Sequence, residues 1–313
     1  MWCDTISRMR KMKSFIVMVM LLLTGIQHVQ AKQDGQTLDL FCGATLSYSD
    51  TNFHRLYSTV LNAAPGVKWR FGEDWQVAGQ VYIPIINDMG KHYSRVRLNM
   101  ASVSKELNLK GDHHLKFSAG LFSRERYGLD VKYMHPFNSW LAVTAQVGFT
   151  GYCSMAEGWD CETMKMLTFL GGANVYLSSW NTEFRLTGGR YIAGDYGLVG
   201  EVMRHFKYCT IGAYAQLQNK APVREIGGKD ETQQNGGFKV VVMLPPYKKS
   251  AKKIRIRPAT NFRQVYNAKS DRGNVRMYKT DPEENEREGN FNPENVRWGA
   301  NLIGIGGVHV AGQ

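Results

Sequence analysis

After residue 31 the sequence contains no apolar stretch that approaches the length of a transmembrane helix, which requires about 20 residues. This absence excludes a helical membrane protein for the main part of the chain. Two classes remain: a soluble protein, or a β-barrel that crosses a membrane with strands, since only helices and closed barrels satisfy their backbone groups in lipid.

The first 31 residues have the composition of an export signal. An apolar run over residues 15–23 is followed by a polar stretch that ends in Val29-Gln30-Ala31, an A-x-A-like cleavage site. The run follows a basic head made of Arg8, Arg10, Lys11 and Lys13. We expect residues 1–31 to be removed and the mature chain to be exported.

Cysteine is scarce, with five residues, and its spacing matches no common zinc pattern. Cys3 belongs to the expected signal. Cys153 and Cys161 bracket a short loop, and in an oxidising compartment such a pair favours a disulfide that closes the loop. The sequence leaves open whether the two residues pair.

Acidic residues are outnumbered, with 27 Asp and Glu against 39 Lys and Arg. For an exported chain, nucleic acid is excluded as a partner. A basic chain in that compartment indicates acidic neighbours of another kind, namely anionic polysaccharide, lipopolysaccharide phosphates or peptidoglycan.

Signals of catalysis and of cofactor binding are also missing. No nucleophile motif occurs. His113 and His114 beside Asp112 fit a solvated turn better than a metal site. Asp130 and Glu183 are candidates for the paired carboxylates of a glycosidase, but polar lining of a barrel is the favoured explanation for both. We therefore predict a protein that is not an enzyme and has no cofactor and no metal.

Strict alternation of apolar and other residues is the dominant pattern from residue 67 to 244, and this period is that of β-strands. Eleven strand-like segments are counted, of which only residues 198–206 alternate poorly, and residues 56–61 are counted as a twelfth. The polar positions carry full charges, which is typical of a wet barrel interior. These candidate lumen charges are Lys68, Arg70, Arg97, Lys116, Asp130, Lys132, Glu183, Arg185 and Lys239.

Connections between these segments are alternately short and long, as in outer-membrane barrels. The pattern predicts an all-β fold, an antiparallel transmembrane β-barrel of about 12 strands with a basic C-terminal extension. A soluble β-sandwich would also alternate and stays open as a second fold.

The chain differs in character from residue 248 onward. A basic block over residues 248–257 is followed by an acidic patch over 281–286 and a Gly-rich end, without the terminal aromatic residue common in outer-membrane barrels. Either Tyr247 ends the barrel or the tail contributes further strands. We predict three regions: the signal (1–31), the barrel (32–247) and a partly ordered periplasmic extension (248–313).

One segment carries a resemblance to a known family. Residues 189–197 read GRYIAGDYG, with Gly189, Arg190, Gly194, Asp195 and Gly197 at its defined positions. This segment resembles the GRYLAGDxG block of YjbH-type proteins. Weaker similarity extends over roughly residues 115–247, including 202–206, 211–215 and 236–246.

The resemblance implies an outer-membrane β-barrel associated with exopolysaccharide or group 4 capsule, here as a short, single-barrel member. From the residues alone, the block is a bulged strand entering a tight turn, because glycine permits backbone angles closed to other residues. Arg190 and Asp195 are interpreted as an ion pair across that turn, with contact to an anionic sugar as the alternative.

Three functional hypotheses follow. The first is a non-enzymatic outer-membrane barrel in polysaccharide export or surface assembly, with outer-membrane lipid, anionic polysaccharide and periplasmic export components as partners. The second is an outer-membrane enzyme that acts on lipid or glycan. The third is a soluble periplasmic β-sandwich that binds peptidoglycan or a partner.

Overall fold

The computed structural model describes residues 36–49, 58–72, 74–88, 91–138, 140–154, 160–206, 208–219, 233–244, 253–258, 261–267 and 277–282. The expected signal lies outside these ranges. Within them the regular structure is almost entirely β, with two single 3-10 turns at Lys91–Ser94 and Ser178–Trp180. None of the described residues forms a helix that is long and apolar enough to cross a membrane.

The strands are β1 (Thr37–Ser49), β2 (Ser58–Phe71), β3 (Trp75–Asn87), β4 (Arg97–Leu109), β5 (His113–Phe122), β6 (Arg126–Pro136), β7 (Leu141–Ser154), β8 (Asp160–Cys161), β9 (Met166–Leu177), β10 (Thr182–Arg190), β11 (Tyr196–His205), β12 (Cys209–Gln218), β13 (Gln233–Met243), β14 (Ile254–Pro258) and β15 (Asn261–Asn267).

These strands build one sheet in the order β14-β1-β2-β3-β4-β5-β6-β7-β9-β10-β11-β12-β13-β15, while β8 pairs only with β7. Strands β1 to β13 form an antiparallel meander. The pair β14–β1 is parallel, and β15 is antiparallel to β13. The two edge strands, β14 and β15, are successive in the chain, and β15 also lies against β1. Residues 254–258 and 261–267, which are close in sequence, therefore pair with the two ends of the meander.

The all-β prediction is confirmed. About 12 strands were predicted, and the described residues have fourteen along the main path of the sheet. The alternating segments at 56–61 and 67–71 belong to one strand, β2, as far as residues 58–71 describe it. Strand β1 was not predicted. Strands β14 and β15 lie beyond the predicted boundary at residue 247 and pair with β1 and β13, which corresponds to the alternative in which the tail contributes further strands.

Connections at one end of the meander are uniformly short. Those after β2, β4, β6, β9 and β11 have three or four residues. The connections at the opposite end are mostly longer. One rim of the sheet therefore has short connections and the other has mostly longer ones, which is the alternation that the sequence indicated.

Polar and apolar side chains occupy the faces of this sheet in an unusual way. On β12, Thr210 and Gln216 are buried, whereas the alternating residues Ile211 and Leu217 are about half exposed. Other large apolar side chains are exposed on neighbouring strands, including Phe117, Leu129, Phe149, Phe169, Leu186 and Phe238. We call the polar, buried face the inner face and the apolar, exposed face the outer face.

Candidate functional site

Most of the candidate lumen charges predicted from the sequence lie buried on the inner face. Their side chains are nearly inaccessible to solvent, with Lys116 at 0 % and Lys68 at 4 % exposure. Burying a charge in this way is costly unless it is paired. The buried members of the predicted set are Lys68, Lys116, Asp130, Lys132, Glu183 and Lys239, and Arg70, Arg97 and Arg185 are half-buried.

A short piece of the C-terminal extension supplies some of the pairing. Residues 277–282, which we call the inner segment, lie against the inner face, and Tyr278, Thr280 and Asp281 are each at most 3 % exposed. The inner segment contacts β2 to β6, as well as the turn between β10 and β11. Because strands this far apart reach one segment, the sheet curves around it.

The carboxylate of Asp281 is the most highly coordinated group of the inner segment. Its Oδ2 lies 2.9 Å from Lys68 Nζ and 3.7 Å from Lys116 Nζ, and it accepts a hydrogen bond of 2.8 Å from Gln76 Nε2. Lys116 Nζ also lies 3.3 Å from Glu106 Oε1. Two buried ammonium groups thus face two carboxylates, one of which comes from the inner segment.

Tyr278 forms the second polar contact of the inner segment. Its hydroxyl donates a hydrogen bond of 2.8 Å to Asp130 Oδ2, and Gln146 Nε2 donates one of 2.7 Å to the same oxygen. A side-chain carbon added at Gly148 would overlap the Tyr278 hydroxyl. Gly148 therefore leaves the space into which the tyrosine fits.

Backbone contacts hold the same segment at the rim with longer connections. Ser123 N donates to Lys279 O (3.1 Å), Lys279 N donates to Ser123 Oγ (2.7 Å), and Ser102 Oγ donates to Thr280 O (2.7 Å). The Tyr278 ring stacks on Phe122, with centroids 5.1 Å apart. The segment is therefore bound through both its backbone and its side chains.

The family-like block at residues 189–197 forms part of this seat. Gly189 has φ +147° and Gly194 has φ +83°, a region that favours glycine. Ile192, in the turn between them, is 2 % exposed and packs with Phe122 and Tyr278. The block thus directs an apolar side chain of the turn onto the inner segment.

The described residues do not form the expected Arg190–Asp195 ion pair. Among them, Asp195 Oδ1 and Arg190 Nε each have no hydrogen-bond partner. The turn is closed by its backbone instead, since Tyr191 N donates to Asp195 O at 2.8 Å. Asp195 is 3 % exposed, and this burial raises the pKa of its carboxyl group above the ordinary value.

A second charged cluster lines β10 to β13. Glu201 lies between Arg185 and Lys239, at 3.4 Å and 3.2 Å respectively, and Arg185 also contacts Glu183 at 3.0 Å. In the contacts described, the charges of this cluster are paired with side chains of the sheet itself and not with the inner segment.

His205 extends this cluster. Its Nε2 lies 3.2 Å from Glu183 Oε2, and its Nδ1 lies 3.0 Å from Thr210 Oγ1. The order hydroxyl, imidazole, carboxylate is that of a nucleophile with its base and orienting group. However, Thr210 is 0 % exposed, so a substrate has no access to its hydroxyl in this arrangement.

The other residues singled out from the sequence make contacts within the sheet and its connections. Arg97 lies over the rings of Tyr82 and Tyr93. Cys153 and Cys161 are joined by a disulfide between β7 and β8. The other residues concerned are Arg70, which donates to Gln76, and His113 and His114, which contact Tyr133 and Asn108. In the ranges that the structure covers, no three His, Cys, Asp or Glu side chains are grouped to hold a metal ion.

Asp281, Tyr278, His205 and Glu201 were missed by the sequence reasoning. Glu201 and His205 belong to β11, whose alternation is poor. Asp281 and Tyr278 lie outside any strand, and Asp281 meets Gln76 from 205 residues away in sequence. The sequence signal available for Asp281 was the acidic patch at 281–286, because its charge is opposite in sign to that of the predicted basic interior.

Among solved structures, the chain is similar to Pseudomonas aeruginosa OccK2 (OpdF), with 11 % identity, a TM-score of 0.37 and coverage of 66 % of this chain. The same protein in complex with glucuronate gives 10 % identity and a TM-score of 0.36. The chain spans 59 % of the OccK2 chain in both cases. No curated protein matches it.

A family model gives the decisive match. The model of YjbH, described as "Exopolysaccharide biosynthesis protein YbjH", matches residues 66–230, which is more than half of the 313 residues. This range includes the block at 189–197 that carried the resemblance. The chain therefore belongs to the YjbH family of exopolysaccharide biosynthesis proteins.

Proposed function

We propose that this protein is an outer-membrane β-barrel that takes part in exopolysaccharide export or surface assembly and does not itself catalyse a reaction. The observation that carries the proposal is the reversed distribution of side chains. Ile211 is 49 % exposed beside Thr210 at 0 %, and Leu186 is 51 % exposed while Glu183 is 3 % exposed. Soluble proteins bury the apolar side chains and expose the charged ones.

A membrane accounts for this reversal. An exposed apolar surface extending over many neighbouring strands would cause aggregation in water, but lipid removes that cost. Strands β2 to β7 have 10 to 14 residues, and about 9–11 residues suffice to cross the hydrocarbon region when tilted. The alternative of a soluble β-sandwich requires an apolar interior, whereas this interior holds Lys116, Asp130 and Lys239.

Closure of the sheet through residues 254–267 completes the proposal. β14 pairs with β1 and β15 pairs with β13, so a single short segment borders both ends of the meander. In lipid every backbone group must find a partner inside the protein. We therefore propose that β14 and β15 close the barrel, which would have fourteen strands in the path that we describe.

The state of the interior bears on the role in export. Residues 277–282 occupy the inner face, and charged side chains of β2, β4, β5, β11 and β13 are paired on it. Such an interior does not support a permanently open pore. It supports either a passage that opens when the inner segment leaves or an anchor for other components of the export pathway.

Hydrolysis is a second candidate function, favoured by the chain of contacts Thr210–His205–Glu183. It requires a rearrangement that exposes the Thr210 hydroxyl, which is buried in this structure. A Thr210→Val variant removes the hydroxyl while conserving the shape of the side chain. If exopolysaccharide output depends on this hydroxyl, with the barrel folded, the catalytic function replaces the first proposal.

The test of the proposed function has two stages. Cells are fractionated, and the purified protein is run on a gel with and without boiling; we expect recovery in the outer membrane and a mobility that changes on heating. The gene is then deleted and complemented with the native chain or the Thr210→Val variant. Equal restoration of surface polysaccharide by both supports a non-enzymatic role. Unchanged polysaccharide in the deletion strain would reject the export role.

A further inference from the structure

We propose that Lys68, Lys116 and Gln76 form a carboxylate-binding site for an acidic sugar, and that Asp281 of the inner segment occupies this site as an internal competitor. The inference rests on the proposed function for the identity of the ligand as a saccharide. The binding site itself rests on contacts that do not depend on that function.

The first argument is the charge balance around Asp281. Lys68 and Lys116 are 4 % and 0 % exposed, and buried ammonium groups require counter-charges. Glu106 supplies one at 3.3 Å from Lys116. The second comes from Asp281, at 2.9 Å from Lys68. When the inner segment leaves, the ammonium groups of Lys68 and Lys116 lose the Asp281 carboxylate as a counter-charge, and the carboxylate of another molecule can take its place.

The second argument is the shape of the donor set. Gln76 Nε2 and Lys68 Nζ contact the same oxygen of Asp281, at 2.8 Å and 2.9 Å. Gln76, on β3, and Lys68, on β2, belong to the wall of the sheet rather than to the inner segment. The donors therefore stay in place when the segment leaves, and charge-assisted hydrogen bonds of this kind are strong in a low-dielectric interior.

The third argument is what the inner segment presents to the wall. It places the Tyr278 hydroxyl against Asp130 at 2.8 Å, a carbonyl oxygen against Ser102 at 2.7 Å and a carboxylate against the two lysines. A hydroxyl donor, a neutral acceptor and a carboxylate are also the polar groups of a uronic acid chain. Since the segment is part of the same molecule, its effective concentration is on the order of mM, and it lowers the apparent affinity for a free ligand.

Binding of a galacturonate tetramer to the purified full chain in detergent, at low salt, tests the proposal by calorimetric titration. We expect Asp281→Asn to bind the tetramer about tenfold or more tightly than the native chain, because it removes the competing charge. Adding Lys68→Gln to Asp281→Asn is expected to reverse this gain. A neutral galactose tetramer is expected to show no difference between the variants.

Glu201→Gln is the matched control, since it also removes one carboxylate from the inner face but contacts Arg185 and Lys239. An equal gain in Glu201→Gln and Asp281→Asn would overturn the site, because the effect would then belong to the total charge of the interior. Identical affinities of the native chain and Asp281→Asn would overturn it as well. Heat-dependent mobility on a gel verifies that each variant is folded.

A second measurement covers the case in which Asp281→Asn fails to fold. With Cys42 and Cys209 replaced by serine, Ser123→Cys and Lys279→Cys are combined, because Lys279 N lies 2.7 Å from Ser123 Oγ. Oxidation should fix the inner segment and abolish tetramer binding, and reduction should restore it. Unchanged binding after verified cross-linking would reject the proposal. The parent without the two new cysteines, treated identically, controls for the Cys153–Cys161 disulfide.

The outcomes for the site and for the function are separable. Selective tetramer binding together with unchanged polysaccharide in the deletion strain would leave the carboxylate site standing and reject the export role. Altered polysaccharide in the deletion strain together with no gain in Asp281→Asn would keep the export role and reject the internal competitor.

Discussion

Arginine substitutions along the outer face of β12 provide the sharpest test of the membrane-spanning fold. Ala213 and Leu217 both belong to the exposed face of this strand, and Ala213 lies near its middle. Four residues cover about 13 Å along a strand, and a tilt of about 40° leaves about 10 Å along the membrane normal. If Ala213 lies near the midplane, Leu217 lies near the interface.

The expected free-energy changes differ accordingly. Ala213→Arg should lower the free energy of unfolding by about 2–4 kcal/mol, and Leu217→Arg by about 0–1 kcal/mol, because the cost of a charge on the lipid face depends on depth. The measurement is guanidinium unfolding of the protein folded into lipid vesicles, followed by tryptophan fluorescence. If the outer face met water instead, both changes would stay within about 0.5 kcal/mol, the usual range for surface substitutions. Equal and small effects would therefore refute the barrel orientation.

Three further predictions concern the rim and the interior. Burial raises the pKa of Asp195 above 3.8, so the folded chain binds this proton more tightly than the unfolded chain does. The folded state therefore loses stability as the pH rises from 3.8 through the raised pKa. Asp195→Asn should unfold at a higher guanidinium concentration than the native chain above the raised pKa and match it below pH 3.8. Gly189→Ala should lower the free energy of unfolding by about 1–3 kcal/mol or more, because φ is +147° and the new carbon overlaps a backbone oxygen of the neighbouring strand. Gly200→Ala, with open space around it, is the control and should be close to neutral in the same unfolding assay. Gly148→Ala should displace Tyr278 and make the inner segment sensitive to trypsin; unchanged digestion would show that this contact does not hold the segment.

Alternation in the sequence was sufficient to assign the faces of the central strands. Lys116 and Asp130 stand out of phase with apolar neighbours such as Phe117 and Leu129, and the structure has these pairs on opposite faces. The reason is local: a strand turns each successive side chain to the other face, so a few residues reveal which set shares a side.

Strands with mixed signals were harder to predict. β14 reads Ile-Arg-Ile-Arg-Pro, which alternates, but its arginines were interpreted as part of a basic block. In the sheet, Arg255 pairs with Asp39 of β1, so the charge has a partner within the wall. Nothing near residue 255 in the sequence identifies a partner 216 positions away.

Only part of the candidate site could be predicted from the sequence. Lys68 and Lys116 were assigned to the interior from their phase, but their occupant was not, because Asp281 reaches them through tertiary contact alone. The prediction of an Arg190–Asp195 ion pair was wrong for the opposite reason. Closeness in sequence suggested an ion pair, whereas the turn is closed by backbone hydrogen bonds between residues 191 and 195.

The position of β14 and β15 has a consequence for biogenesis. Both strands come from residues 254–267, late in the chain, and they cover the outer edges of β1 and β13. Until this part of the polypeptide is in place, those two edges carry unpaired backbone groups, which invite pairing with other chains. A protein truncated before residue 254 should therefore accumulate as cross-associated aggregates, so completion of the wall would act as a quality check on full-length synthesis.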